Sequence, residues 1–102
     1  YVYDTATTLC NIIDNFIAGE VYNIASTQHH TIEELVDIIL TETGASKDLV
    51  EYNENTEILT TKDKVVSNSK CVNDLNHKDN TTLSDGVKNT VYWMRNFYDN
   101  IH

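Results

Sequence analysis

Three stretches of the chain place apolar residues at intervals of three and four, the spacing that lines one face of an α-helix. The last of them, residues 83–101, is the most regular. The apolar positions are Ala6, Leu9, Cys10, Ile13, Phe16 and Ile17 in the first stretch, Ile32, Leu35, Val36, Ile39 and Leu40 in the second, and Leu83, Val87, Val91, Met94, Tyr98 and Ile101 in the third. The pattern predicts three amphipathic helices, each burying its apolar face.

The starts of these helices carry side chains whose oxygens can accept hydrogen bonds from free backbone N–H groups. Thr31, with Glu34 three residues later, is the capping-box pattern. Gly44 is predicted to end that helix, because glycine accepts the left-handed conformation that closes a helix. The other predicted caps are Asp4 or Thr5 for the first helix, Ser67 for a short helix over residues 68–75, and Thr82 with Asp85 for the last helix.

Short segments between the helices predict β-strands at residues 20–24, 49–52 and 64–66. Val21 and Tyr22 supply the β propensity of the first of these. Residues 53–64 have no periodic pattern and are predicted to form a loop, which in a small domain is either functional or mobile. With no internal repeat and no linker, the chain is predicted to be a single α/β domain over residues 1–102, rich in helix with a few short strands.

Charge and composition narrow the possible partners and the cellular setting. The net charge of -9 argues against nucleic acid, which binds clustered Lys and Arg. No apolar run is long enough to span a bilayer and no secretory leader is present, so we expect no membrane partner. Cys10 and Cys71 occupy apolar helical positions, which predicts buried free thiols and a cytoplasmic protein. The absence of an initiator methionine indicates a fragment or a processed product.

Little in the sequence predicts a cofactor, a metal ion or catalysis. A dinucleotide-binding loop needs clustered glycines, and Gly19, Gly44 and Gly86 lie far apart, so no cofactor-binding residue is predicted. The adjacent histidines, His29 and His30, point in different directions and lack a third ligand at a fixed spacing, so no metal site is predicted. Paired acids lie at helix starts, where the helix dipole favours them, and no catalytic residue can be named.

Three blocks of sequence resemble a known family. YVYDTATTLCNIID, GEVYNIAS and SNSKCVNDLNHKDNTTLSDGVKNTVYWMRNFY occur in the order and at the approximate spacing of blocks in the C-terminal part of extended short-chain dehydrogenase/reductases. The members they resemble are the NAD-dependent nucleotide-sugar epimerases and dehydratases. The segment TTKDKV is more similar to the dTDP-glucose and GDP-mannose 4,6-dehydratases. Together the blocks cover nearly the whole chain.

The resemblance implies that this chain is the substrate-binding portion of such an enzyme, a lyase or an isomerase. In the family, an N-terminal Rossmann domain binds NAD and oxidises C4 of the sugar. That domain's Tyr-x-x-x-Lys signature does not occur at any of the six tyrosines here, so the chain alone is expected to be inactive. NAD would belong to the intact parent enzyme. The expected partners are a nucleotide sugar, the Rossmann domain and, through the surface that this domain would cover, a second copy of the chain.

Four residues are candidate substrate contacts. Ala25 and Ser26 stand where the family has Gly-Gly after a strand, and the resemblance places them beside the sugar. Lys62 and Lys64 lie in or beside the irregular loop, which is the segment where we expect contacts with the ligand.

The chain also departs from the family pattern. Tyr3 and Ser67 each replace an Asp, Asn76 replaces a Gly, and Glu57 lies roughly where an Arg often contacts the nucleotide phosphate. An acid in that place would repel a diphosphate. These departures leave open an alternative function, that of a divergent, non-catalytic interaction module that kept the fold and lost ligand binding.

Overall fold

The computed structural model describes residues 1–53 and 64–99. Within these ranges the chain forms four α-helices, one turn of 3₁₀-helix and no β-strand. The predicted α/β fold class is therefore wrong, and the described part of the chain is all-helical. The helices are α1 (Val2–Asn15), α2 (Ile32–Thr43), α3 (Ser69–Leu75) and α4 (Leu83–Asp99), and the 3₁₀ turn is Lys47–Leu49.

The segments predicted as strands lie outside the α-helices, Leu49 ends the 3₁₀ turn, and none of them has a partner strand among the described residues. A strand is stable only when a neighbour satisfies its backbone groups, and β propensity alone does not supply that neighbour. Residues 20–24 are instead held by side chains. The Tyr22 hydroxyl donates to the Asp74 carboxylate at 3.2 Å, and the Ala25 carbonyl accepts from the Asn68 amide at 2.8 Å. Both contacts tie the segment to α3 or to the residue that precedes it.

The predicted ends of α2 are confirmed. The Glu34 N–H donates to Thr31 Oγ1 at 3.1 Å, and the Thr31 N–H donates to the Glu34 carboxylate at 2.9 Å, which completes the capping box. Gly44 adopts a left-handed φ of 71°, and its N–H donates to the Leu40 carbonyl. At the start of α4, the Asp85 N–H donates to Thr82 Oγ1 at 3.1 Å, as predicted.

Two other predicted caps differ from the structure. Helix α1 begins at Val2 with Tyr1 as its N-cap, so neither Asp4 nor Thr5 caps it. The Asp4 carboxylate instead accepts from the backbone N–H and the hydroxyl of Thr81, at 3.2 and 3.0 Å. Helix α3 begins at Ser69 with Asn68 as its N-cap, so the predicted Ser67 is not the N-cap, and Asn68 makes no side-chain capping bond. Asp4 therefore joins α1 to the segment that precedes α4.

The helices pack as two pairs, α1 with α3 and α2 with α4. Among the described apolar residues, only Cys71 and Leu75 of α3 are buried. The predicted burial of both thiols is wrong for Cys10, which is exposed. The stripe of α2 is half-buried at most, and Ile39 is 40% exposed. Most of the apolar surface that the pattern predicts to be internal therefore stays accessible.

Helix α1 turns its polar side inward. Thr8 is fully buried, and Asp4 and Asn11, which share its face, are half-buried. By contrast, Ile13 is 81% exposed and Phe16, just after the helix, is 73% exposed. The inward face is chosen by the hydrogen bonds that Asp4, Thr8 and Asn11 make to residues 75–81. Hydrogen bonding, rather than the apolar stripe, sets the rotation of this helix.

None of the helices in the described ranges combines the length and the apolar character that crossing a bilayer requires.

Candidate functional site

A network of hydrogen bonds fixes α1 against the turn that follows α3. Thr8 Oγ1 and His77 Nδ1 lie 2.7 Å apart, and the Asn11 amide donates to the Leu75 carbonyl at 2.9 Å. Asn76 makes the turn possible by adopting a left-handed φ of 51° as the C-cap of α3. Asparagine is among the few non-glycine residues that take this conformation readily.

Both hydrogen bonds of the Thr8 hydroxyl can form at once with only one tautomer of His77. Thr8 Oγ1 donates its single proton to the Asp4 carbonyl at 2.9 Å, so it can only accept from the imidazole. The proton of neutral His77 therefore sits on Nδ1. Its Nε2 is then an acceptor, and it is buried without a partner among the described residues. No pattern in the sequence predicts this pair, because its members are 69 positions apart.

A second set of contacts holds residues 20–26 against α3. Lys70 forms an ion pair with Glu20, and its ammonium also lies 5.1 Å from the centre of the Tyr22 ring. Burial is the main cause that raises the pKa of the Tyr22 hydroxyl, and the second is its hydrogen bond to the Asp74 carboxylate. These contacts hold the loop in a position where Ser26 lines a groove.

That groove, here called the α2–α4 groove, encloses about 650 Å³ between the two helices. Small-molecule sites typically occupy roughly 300–1,000 Å³ and are mostly apolar with a few placed polar groups. The walls of this groove match that description. Its apolar lining is Tyr1, Leu35, Ile39, Leu83, Val87, Val91 and Met94, and its polar lining includes Ser26, Gln28, His30, Thr43 and Asp79.

The mouth of the α2–α4 groove is organised by Ser26 and Asp79. The Ser26 hydroxyl donates to Asp79 Oδ2 and accepts from the Gln28 N–H at 2.9 Å, which fixes both the loop and the carboxylate. Asp79 Oδ1 receives no bond from another described residue, so this oxygen can accept from a ligand. No Lys or Arg among the described residues lines the groove. The site therefore favours hydroxyl donors over anions.

A second cavity of about 920 Å³, here called the aromatic cleft, lies between the start of α1 and the outer side of α4. The Tyr1 and Tyr3 rings lie 5.4 Å apart, and Trp93 stacks on Phe97 at 5.0 Å with 16° between the ring planes. The cleft is lined by Tyr1, Val2, Tyr3, Asn89, Thr90, Tyr92, Trp93 and Asn96. Tyr1 and Thr90 line the α2–α4 groove as well, so the two cavities adjoin.

Comparisons with protein-family models, curated proteins and solved structures found no match. The resemblance of the three sequence blocks to nucleotide-sugar enzymes therefore stays a hypothesis. Among the residues that the structure describes, no group of three or more His, Cys, Asp or Glu side chains is arranged to hold a metal ion.

The structure separates the four candidate substrate contacts. Ser26 lines the α2–α4 groove, whereas Ala25 does not and uses its carbonyl to accept from Asn68. Lys64 is exposed and lines neither the groove nor the aromatic cleft. Lys62 lies outside the described residues. Asp79 was missed at the sequence level, because its partner Ser26 is 53 positions away.

Proposed function

We propose that this chain is the substrate-binding part of an NAD-dependent nucleotide-sugar epimerase or dehydratase. The observation that carries the proposal is the α2–α4 groove, whose mouth holds Ser26 of the GEVYNIAS block beside the carboxylate of Asp79. The groove has the volume and the mixed lining of a small-molecule site. A hexose is the part of a nucleotide sugar that fits this lining best.

A pyranose ring presents C–H groups on its faces and hydroxyls around its edge. The C–H groups would lie against apolar walls such as Leu35 and Val91, and a hydroxyl would donate to Asp79 Oδ1. Hydrogen bonds to a carboxylate are stronger than neutral ones, so this contact would orient the sugar. A diphosphate suits the groove poorly, because Asp79 contributes a carboxylate to its lining and no Lys or Arg among the described residues lines it.

The contacts between the three resembling blocks also support the proposal. The first block is tied to the third by the Thr8–His77 and Asn11–Leu75 bonds. The second block is tied to the third by the Asn68–Ala25 bond. Segments that are 43 to 69 positions apart thus form one framework, which is what a shared fold requires of its recurring motifs.

The chemistry of the parent enzyme would come from elsewhere. In this proposal a Rossmann domain outside these 102 residues would bind NAD, which would supply the hydride acceptor for oxidation at C4 of the sugar, and that domain would also supply the base for the hydroxyl proton. The present chain then orients the sugar and is inactive alone. We place the parent in the cytoplasm, where both free thiols, Cys10 and Cys71, would stay reduced.

The test is ligand binding to the isolated chain. Saturation-transfer NMR with UDP-glucose, dTDP-glucose and GDP-mannose should show transfer to the sugar protons of at least one of them. Asp79→Asn should weaken that binding about tenfold or more, since hydrogen bonds to charged groups contribute about 1.5–3 kcal/mol. Asp14→Asn is the matched control, because it removes the same charge from an exposed position of α1. Equal affinities for the two variants would contradict the assignment of Asp79.

A second candidate function is a non-catalytic interaction module, and the extent of accessible apolar surface favours it. Met94 and Ile39 line the α2–α4 groove and are 43% and 40% exposed, which also suits a groove that receives a protein segment. The same NMR screen separates the two functions. Saturation transfer from none of the three nucleotide sugars would favour the module.

A further inference from the structure

The aromatic cleft has two walls that carry aromatic rings. Tyr1 and Tyr3 line it from the start of α1, and Tyr92 and Trp93 line it from α4. Tyr3, Tyr92 and Trp93 remain 68%, 71% and 57% exposed, so much of each ring is available to a ligand. The faces of aromatic rings carry negative electrostatic potential. Four such rings around one cavity therefore attract a positive charge.

The angles between the rings favour a rounded group over a flat one. The rings of Tyr1 and Tyr3 are tilted by 59°, so they form a corner rather than a stack. Phe97 stacks on Trp93 with 16° between the ring planes, which covers one face of the indole and holds it in place. A planar ligand stacks best between parallel rings, whereas a tetrahedral trimethylammonium group contacts ring faces that meet at an angle. Aromatic cages recognise quaternary ammonium groups through such cation–π contacts.

The distribution of charge also suits a cation. The chain carries a net charge of -9, and no charged side chain among the described residues lines the cleft, so no Lys or Arg there repels a cation. Arg95, next to the cleft residue Asn96 in sequence, donates instead to the Thr43 carbonyl of α2. A quaternary ammonium group has no N–H to satisfy, so it needs no carboxylate inside the cleft.

We propose that the aromatic cleft binds a quaternary ammonium group, held by cation–π contacts with Tyr3, Tyr92 and Trp93. This site is separate from the α2–α4 groove and does not depend on the function proposed for that groove. The group can belong to a small molecule such as choline or to a trimethylated lysine of a peptide, and the experiment distinguishes these sources.

Trp93 is the single tryptophan of the chain, so its fluorescence reports on this cleft. Choline should change that fluorescence saturably, and it should bind at least about twofold more tightly than its uncharged tert-butyl analogue, in which carbon replaces the nitrogen. Tyr92→Leu should weaken choline binding about 2- to 30-fold, the range of one cation–π contact. Tyr52→Leu is the matched control, because Tyr52 is similarly exposed and lines neither cavity.

A second variant tests the charge of the ligand directly. Asn89→Asp places a carboxylate in the lining with almost no change of shape. It should strengthen choline binding about fivefold, the Coulomb attraction of two unit charges about 4 Å apart in water. Asn73→Asp is its control, because it adds the same charge at an exposed position of α3 that does not line the cleft. Far-UV circular dichroism checks that each variant remains folded.

Saturable choline binding that Tyr92→Leu weakens and Asn89→Asp strengthens, with both controls unchanged, would support the site. Equal affinities for choline and its uncharged analogue would overturn it, because apolar contact alone would then explain the binding. Absence of a saturable change with both choline and a trimethyl-lysine peptide would overturn it as well. Tighter binding of the peptide than of choline would assign a modified protein as the source, and the reverse a small molecule. The nucleotide-sugar screen is a separate measurement, so failure of either proposal leaves the other standing.

Discussion

The Thr8–His77 contact predicts a measurable loss of stability on removing one hydroxyl. Thr8→Val keeps the branched shape of the side chain, but it removes the acceptor of His77 Nδ1–H among the described residues, in a fully buried place. His77 Nε2 has no partner among the described residues, so the imidazole would then have both ring nitrogens unsatisfied. The Asp4 carbonyl loses a second donor and keeps its place in the helix.

The magnitude follows from the burial of the pair. Leaving a buried donor without an acceptor costs about 1–3 kcal/mol, and the added methyl group recovers less than about 1 kcal/mol. A chain of this length has a total stability of roughly 5–15 kcal/mol. We therefore expect Thr8→Val to lower the free energy of unfolding by about 1–2 kcal/mol. In urea this is a midpoint lower by on the order of 1 M.

Thr41→Val is the control. Thr41 Oγ1 makes the same type of bond, to the Asp37 carbonyl one helical turn earlier at 2.8 Å, but on an exposed face of α2. Its loss should change stability by less than about 0.5 kcal/mol. The assay is urea unfolding of both variants, followed by far-UV circular dichroism, which reports the helix content. Equal midpoints for Thr8→Val and Thr41→Val would refute the assigned role of the buried pair.

Three further predictions concern single positions. Gly44→Ala should lower the unfolding temperature by about 4–8 °C, because a φ of 71° costs a side chain about 1 kcal/mol, whereas Gly86→Ala, in the ordinary helical conformation of α4, should not lower it. The raised pKa of Tyr22 means that the folded state holds this proton more tightly. Its contribution to stability should be complete below about pH 10 and lost as the pH rises further, and Tyr22→Phe should flatten the fall of the urea midpoint there. Ellman's reagent should react quickly with exposed Cys10 alone in the folded chain, since Cys71 is buried and burial raises the pKa of its thiol; rapid reaction of two thiols would contradict this.

The sequence predicted both ends of α2 and the start of α4 correctly. Caps such as Thr31 with Glu34 and Gly44 depend on residues within one or two turns, so a short window contains all the information. The predicted strand at residues 20–24 is wrong because a strand depends on a partner that can lie anywhere in the chain, and β propensity does not indicate where that partner is.

The candidate site was predicted only in part for a related reason. Ser26 lies at the α2–α4 groove, but its partner Asp79 belongs to a turn with no periodic pattern. Cys10 was expected to be buried because apolar spacing was taken to define the inner face of α1. The structure instead buries the face of Thr8, whose partner His77 cannot be found by any local pattern.

In most small proteins one apolar core both stabilises the fold and fixes how the helices are oriented. In this chain the inward polar face of α1 fixes the orientation of that helix, and its apolar side chains stay exposed. The directional hydrogen bonds of Thr8 and Asn11 can form in only one rotation of the helix, so they specify how α1 packs. The exposed apolar side chains can still add stability, since burying Ile13 or Phe16 would contribute about 1.5–3 kcal/mol of free energy each. Association can therefore add to the stability of this chain without rearranging its interior, and its apparent stability should rise with whatever surface covers that side.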